Sequence, residues 1–318
     1  MIAVLCLAGL GLLALPLLLR CLGRRVTPRL WSVLCTAALA GGAVLVVGAG
    51  LLASLSTLFA MAGRPALARA CDIMFDQWVP SGSPLAFVVV GFTMSAVVLG
   101  LLAVRSARRI AAAAQVSPGI GRRLQRNGAF EVIVLDDERA HALSVPGTHR
   151  RPHQVLLTSG LVATLTTAEL DLVCAHEEEH LRLRHHRHLM LALAVERSMW
   201  FWPPAAGSVR VLRLALERVA DEAATGQEPH ARARLRSALV AVAVTGSPAA
   251  LPAFSPFDGL MERVMAMGAP CPRAASPLRW AALMFPGLLV GAVALFAAAR
   301  LGHGAYCLLT MPSNCKLR

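Results

Sequence analysis

Long apolar runs occupy both ends of the chain, and a segment of mixed polar and apolar character separates them. Four stretches are free of charged side chains over about 18 to 22 residues, the length that crosses the hydrocarbon of a bilayer. They cover residues 1–19, 31–53, 85–104 and 280–299. Hydropathy therefore predicts a mainly α membrane protein with about four transmembrane helices.

Arginines near the ends of these runs predict how the chain crosses the membrane, because positive charge favours the cytoplasmic side. Arg20 and Arg29 bracket a basic cluster that follows the first run, whereas a signal peptide carries its positive charge before the apolar core. We therefore interpret the first run as a retained helix that enters from outside. The predicted organisation is a membrane region with three transmembrane helices (1–109), a cytoplasmic domain (110–278), a fourth transmembrane helix (279–300) and a short external tail (301–318).

The charge balance argues against a nucleic-acid partner, although the net charge is +13. Residues 105–278 contain 21 arginines and 16 acidic residues, a net charge of +5 that is mixed in sign and has no long basic run. Hydrophobic residues make up 56% of the chain and charged residues only 15%. The partner that this composition predicts is the lipid bilayer, and direct nucleic-acid binding is not expected.

The middle segment alternates between strand-like and helix-like patterns, which predicts an α+β domain. A basic helix is expected to leave the membrane at 105–125. Thr166 and Glu169 have the spacing of a capping box and predict a long helix that runs to about Met199, where an aromatic-proline turn ends it. Short strands are predicted at 130–137, 141–145 and 154–159, and two further helices at about 209–225 and 230–244.

Two features leave alternatives open. Residues 237–257 carry no charge and are long enough to span a membrane, but Gly246 and several prolines interrupt them, so a buried or membrane-resting segment is favoured over an extra crossing. Cys307 and Cys315 both fall on the predicted external side, where they either form a disulfide or remain free.

The chemistry of the chain centres on the stretch CAHEEEHLRLRHH. His176 and His180 are four residues apart, so they share one face of a helix and can bind one Zn²⁺ ion. Glu177 lies beside that face, where a carboxylate can take a proton from the attacking water. A charged, solvated helix face is the alternative interpretation, but it does not explain why the apolar run LDLVCA precedes the motif.

A catalytic zinc site needs a third protein ligand, and LALERVADEAATG supplies a candidate. Glu217 and Asp221 are also four residues apart, and this like-charge pair is mildly destabilising unless a cation lies nearby. We predict that Glu217 is the third ligand and that Asp221 orients a ligating histidine. The alternative is a solvated pair that Arg213 and Arg218 balance.

A second group of histidines follows the motif. His185, His186 and His188 could form a further metal cluster, but their spacing predicts that they point away from the face of His176 and His180. We therefore expect a titratable, solvated patch here. His185→Ala is expected to keep most of the zinc and of the activity.

The stretches LDLVCAHEEEHLRLRHH, MWFWPP and ERVADEA together resemble the membrane-embedded zinc peptidases of the beta-lactam-sensor/antirepressor (BlaR/MecR-like) family. The similarity covers roughly residues 131–264, and HtpX-like and prenyl-protein peptidases share the HExxH and ExxxD motifs. Relatives commonly have an aspartate where this chain has His185. Only 18 residues follow the fourth predicted span, so we expect no external penicillin-binding domain.

The resemblance implies an integral membrane zinc endopeptidase in a bacterial cell membrane, with its catalytic domain in the cytoplasm. His176, His180 and Glu217 would hold one Zn²⁺, and Glu177 would act as general base. The implied substrate is a cytosolic or membrane protein, with a transcriptional repressor as one candidate. Broad membrane-protein quality control and zinc sensing without proteolysis are the alternatives. Extended substrate is expected to pair with the strand that contains His141, Leu143 and Val145.

Overall fold

The structure is a computed structural model of the 318-residue chain. It describes residues 2–23, 25–75, 84–114, 122–126, 130–147, 151–226, 228–245 and 259–268. Within these ranges the protein is mostly helical and contains one small sheet. The predicted fourth transmembrane helix at 279–300, the tail at 301–318 and the pair Cys307 and Cys315 lie outside the described residues.

The apolar helices of the N-terminal part pack through small residues. α3 and α5 are long and apolar enough to cross a membrane, whereas α1 is apolar but shorter. A side chain added at either Gly9 or Gly42 would collide with the other helix, so glycine lets α1 and α3 approach closely. The described helices before the first strand are α1 (Ile2–Leu18), α2 (Arg20–Gly23), α3 (Pro28–Met61), α4 (Pro65–Phe75) and α5 (Pro84–Ala113).

The sheet has four strands in the order β1-β2-β4-β3, and only the central pair β2–β4 is parallel. The three strands predicted from the sequence are present. The predicted basic helix at 105–125 is wrong at its end, because residues 122–126 pair with β2 through backbone hydrogen bonds, and residues 115–121 lie outside the described residues. The strands are β1 (Arg122–Arg126), β2 (Phe130–Leu135), β3 (Ala142–Val145) and β4 (His153–Thr158).

Six described helices follow the sheet. The predicted capping box is confirmed, since the Thr166 hydroxyl accepts from the Glu169 amide while the Glu169 carboxylate accepts from the Thr166 amide. The first two residues of α9 are prolines, which lack the amide hydrogen that a first turn leaves unpaired. The helices are α6 (Ser159–Thr164), α7 (Thr167–Arg182), α8 (His185–Ser198), α9 (Pro203–Thr225), α10 (Pro229–Thr245) and α11 (Leu260–Gly268).

The long helix predicted from Thr166 to about Met199 is in fact two helices. Arg184 has a positive φ of 55°, which ends α7 and redirects the chain into α8. This conformation is costly for a residue with a side chain, and tertiary packing has to offset it. The compensation comes from α8, which buries Ala192 and Val195 against the N-terminal helices.

The two larger apolar cores hold most of the described elements together. One lies between the sheet, α7 and α10, and includes Val155, Leu161 and Cys174. The other joins α1 and α3 to α8 and α9, with Leu39 and Leu212 fully buried. The helices that follow the metal motif therefore pack directly on the apolar N-terminal helices.

The apolar run 237–257 is only partly described. Residues 237–245 form the end of α10, where Ala238 is buried and Val244 is exposed. The remainder of the run, 246–258, lies outside the described residues, so an extra crossing there stays an open alternative.

Candidate metal centre

The two histidines of the HExxH motif face the same point because α7 places them one helical turn apart. His176 is buried, with 7% of its surface exposed, and His180 is nearly as enclosed. Their Nε2 atoms lie 3.2 Å apart. The apolar residues before the motif, with Cys174 in the core beneath the sheet, fix this end of α7.

Glu217 completes the group from α9, which packs against α7. Its Oε2 atom lies 3.4 Å from Nε2 of His176, and its Oε1 atom lies 3.5 Å from Nε2 of His180. Within the described part of the chain, these three residues are the group that could hold a metal ion.

The separations fit a tetrahedral zinc ion. Zinc binds nitrogen and carboxylate oxygen at about 2.0 to 2.2 Å, so two of its ligand atoms should lie roughly 3.3 to 3.5 Å apart. The two Nε2 atoms are 3.2 Å apart, Oε2 of Glu217 lies 3.4 Å from that of His176, and Oε1 of Glu217 lies 3.5 Å from that of His180. Two imidazoles and one carboxylate also match the donor set of catalytic zinc sites, which keep a fourth position open for water.

Asp221 lies behind the metal-facing side of His176. Its Oδ1 atom is 3.0 Å from Nδ1 of His176, and the residue is 4% exposed. A carboxylate in this position favours the tautomer that directs Nε2 towards the metal. This short contact is consistent with the predicted role of Asp221, which stays a prediction.

An arginine that the sequence did not suggest joins the cluster. Arg263 on α11 is 3% exposed, and its Nε and Nη2 atoms donate to the two carboxylate oxygens of Asp221 at 2.9 and 2.6 Å. Its Nη1 atom lies 2.9 Å from Oε2 of Glu217. The alternative of a solvated acidic pair is wrong, because Asp221 is buried and Arg263 contacts both carboxylates, while Arg213 pairs with Glu196.

The charged residues of this cluster shift one another's pKa values. Burial opposes ionisation, but the carboxylates of Asp221 and Glu217 raise the pKa of His176 to about 10. Although burial acts in the opposite direction, Arg263 and the histidines hold the pKa of Glu217 well below its usual range, and that of Asp221 is lowered as well. Without metal, a proton on His176 therefore takes part of the role of the cation, and a bound metal ion would displace it.

His185 lies next to the second ligand, and the prediction that it points away is wrong. Its Nδ1 atom is 2.9 Å from Nδ1 of His180, and the residue is 2% exposed. The turn at Arg184 breaks the helical spacing on which the prediction depended and brings the two rings together. Burial and the His180 ring lower the pKa of His185 to about 3, so its neutral ring can accept a hydrogen bond from His180.

His185→Ala should therefore weaken zinc binding by roughly 10- to 100-fold, the usual cost of removing a group that orients a metal ligand. This outcome replaces the expectation that the variant keeps most of its zinc. Zinc titration of the purified variant measures the effect, and His186→Ala on the same helix is the matched control. A zinc affinity equal to that of the wild type would show that the contact does not position His180.

The Asp221→Asn variant tests the corresponding contact on His176. Asparagine keeps the shape but loses the charge that orients the imidazole, so zinc affinity should fall by roughly 10- to 100-fold. Arg263 retains Glu217 as a partner, so the protein should fold but unfold at a lower temperature. Zinc titration and a thermal melt measure both effects, with Glu222→Gln as control. Unchanged affinity with normal turnover would contradict the assignment.

The predicted substrate strand lies at the edge of the sheet, beside α7. The amide of His141 donates to the Thr158 hydroxyl, and its carbonyl accepts from the Thr158 amide, so the backbone of His141 faces β4. Leu143 and Val145 share this orientation because backbone direction alternates along a strand. The backbone groups directed away from β4 are therefore those of Ala142 and Ser144.

The centre lies within a segment that is similar to a known peptidase family. Residues 105–243 match the model of peptidase family M48. The matched segment indicates a metallopeptidase, and it contains His176, His180, Glu217 and Asp221 but ends before Arg263. No curated protein and no solved structure matches the chain significantly.

Proposed function

We propose that the protein is an integral membrane zinc endopeptidase whose active site faces the cytoplasm. The observation that carries this proposal is the group of His176, His180 and Glu217, whose nitrogen and carboxylate oxygen atoms approach one another to 3.2 to 3.5 Å and could hold a metal ion. The match to the M48 peptidases supports the reaction class. The two long apolar helices, of which only 22% is buried within the protein, support the membrane location.

In this proposal Glu177 is the general base and acid. It directly follows His176 on α7 and is half-buried. Burial lowers the pKa of Arg263, but the negative charges of Asp221, Glu217 and, to a smaller extent, Glu177 raise it. A zinc ion in the site would polarise the scissile carbonyl and lower the pKa of the attacking water. Glu177 takes the proton from that water and passes it to the leaving amide nitrogen.

Substrate would bind as an extended strand along the edge of β3 on which no described strand pairs. Ala142 and Ser144 direct their backbone groups away from β4, so they can form hydrogen bonds with a peptide that adds to the sheet. Because β3 lies beside α7, a peptide on this edge would pass close to the metal centre. The proposed substrate is a cytosolic or membrane protein, and a transcriptional repressor is the candidate that the BlaR/MecR-like resemblance favours.

The test compares new protein N-termini in cells that carry the wild-type protein or Glu177→Gln. Cleavage of one repressor only with the wild type supports the proposed signalling role. Cleavage of many unrelated membrane proteins would instead support an HtpX-like quality-control peptidase. A wild-type protein that holds zinc but generates no new termini and cleaves no peptide in vitro would overturn the proposal and favour a zinc sensor.

A further inference from the structure

The position of a residue along helix α5 indicates its depth in the membrane. Its apolar segment has a mean hydropathy of 2.5, and residues 85–104 contain no charged side chain. Much of its surface is exposed, including Val88 at 62% and Leu101 at 55%. The first arginine after this segment is Arg105, which marks the predicted cytoplasmic boundary.

α8 packs along α5 and runs antiparallel to it. The Ser198 hydroxyl donates to the carbonyl of Ala96 at 2.8 Å. A side chain at Gly100 would collide with that hydroxyl, so the two helices are in close contact there. Beyond Ser198, the ring of Phe201 lies 4.7 Å from that of Phe92, and Trp200 lies 6.1 Å from the same ring.

The chain then returns along α9 on the other side of the apolar bundle. Gly207 approaches Leu17 of α1 so closely that a side chain there would collide with it. The hydroxyl of Ser208 accepts a hydrogen bond from the amide of Leu17 at 3.2 Å. α8, the turn 199–202 and α9 therefore form a helical hairpin packed between α5 and α1.

We propose that the tip of this hairpin, residues 198–209, is inserted into the bilayer and contacts lipid acyl chains. Phe92 is 13 residues from Arg105, which corresponds to about 20 Å along a helix. The aromatic turn beside Phe92 is therefore the deepest part of the tip, within a hydrocarbon layer of about 30 Å, whereas Ser208 lies beside Leu17, three residues before Arg20, and is nearer to the cytoplasmic surface. The hairpin belongs to the segment predicted as a cytoplasmic domain, so this placement changes the predicted topology.

The side chains at the tip fit a lipid environment. Trp200 is 64% exposed and lies beside the ring of Phe92 on α5, which is 41% exposed. Gly207 and Ser208 are small residues at a helix contact, as is typical of helices that pack within membranes.

The charged residues next to the tip either pair with each other nearer the cytoplasmic end of the hairpin or have long side chains that can reach towards that end. Glu196 on α8 and Arg213 on α9 pair at 2.8 Å, which lowers the cost of placing either near hydrocarbon. Arg197 and Arg210 are exposed, and their long side chains can direct the guanidinium towards the polar interface.

The placement also locates the metal centre. α8 begins at His185 beside the ligand His180, and 13 residues separate His185 from Ser198. This is again about 20 Å along a helix, so the centre lies near the cytoplasmic surface of the bilayer. Peptide bonds that reach the site would lie close to the membrane. This consequence depends on the proposed peptidase function, but the insertion itself does not.

The first experiment uses the unmodified full chain in liposomes with a phospholipid that carries a photoactivatable diazirine at the end of its acyl chain. Trypsin cleavage after Arg197 and Arg210 yields the peptide 198–210. Cleavage after Arg218 and Arg232 yields the peptide 219–232. Both peptides contain part of α9, and the second lies at its cytoplasmic end. We expect lipid adducts on 198–210 and none above background on 219–232.

The second experiment measures the rate at which a water-soluble maleimide labels Trp200→Cys, with His230→Cys as control. Both new cysteines fall in tryptic peptides that contain no native cysteine. Labelling at position 200 should be about tenfold or more slower, because the reactive thiolate is disfavoured in hydrocarbon. Detergent that disperses the bilayer should reduce this difference.

Three outcomes would overturn the insertion. They are equal acyl-chain adducts on the two peptides, adducts on 198–210 only when the diazirine is placed in the lipid headgroup, and equal maleimide rates at positions 200 and 230. None depends on catalysis, so they leave the peptidase proposal to its own test.

Discussion

Replacing Glu177 with glutamine should lower the rate of peptide-bond cleavage by about 10²- to 10⁴-fold, the usual contribution of a general base. Glutamine has nearly the same shape, but it cannot accept a proton at neutral pH. The three zinc ligands are other residues, so the zinc content should remain that of the wild type. The measurement is the cleavage rate of a peptide or protein substrate by purified protein, together with zinc per chain.

The sequence HEEEH provides the control for this variant. Glu178→Gln makes the same chemical change at the next position of α7, which is not one of the grouped ligands. This variant should cleave at nearly the wild-type rate, since substitutions away from a site usually have small effects. If Glu177→Gln retains full turnover, the base is another group, and if it loses zinc, Glu177 supports the metal instead.

Replacing Arg263 with methionine should produce the largest loss of stability. The guanidinium is 3% exposed and contacts both Asp221 and Glu217, so its removal leaves the buried carboxylate of Asp221 and the partly buried one of Glu217 with a single protonated imidazole. Removing one partner of a buried ion pair costs about 3 to 5 kcal/mol. For a domain of this size, the unfolding midpoint of the metal-free protein should fall by roughly 10 °C.

Zinc should reduce this loss, because a bound cation replaces part of the missing charge beside Glu217. The measurement is a thermal melt of chelated and zinc-loaded protein. Arg187→Met, at an exposed position of α8, is the control and should change stability by less than about 0.5 kcal/mol. An Arg263→Met protein that melts like the wild type without zinc would show that the arginine does not stabilise the acidic pair.

The features that the sequence predicted correctly are local ones. The i, i+4 spacing that brings His176 and His180 together is a property of a single helix. The capping box of Thr166 and Glu169 is similarly contained within one turn, and the alternating apolar pattern of β2 requires only its own residues. The pairing of Glu217 with the histidines needed the further assumption that two helices lie side by side.

The features that the sequence missed depend on tertiary contacts. Arg263 is 42 residues from Asp221, and nothing in its local sequence MERVMAM distinguishes it from an arginine in solvent. The left-handed conformation of Arg184 has no local signal either, since glycine or asparagine normally occupies such a position. Because that turn was missed, His185 was placed on the wrong side of the helix.

Zinc per chain, measured by elemental analysis of purified protein, tests the central assignment most directly. The account predicts about one zinc ion in the wild type and in Glu178→Ala, and sharply less in His176→Ala, His180→Ala and Glu217→Ala. Glu217 is the decisive residue, because it joins the HExxH helix to a second helix. A Glu217→Ala protein that holds zinc at the wild-type stoichiometry would contradict the metal centre described here.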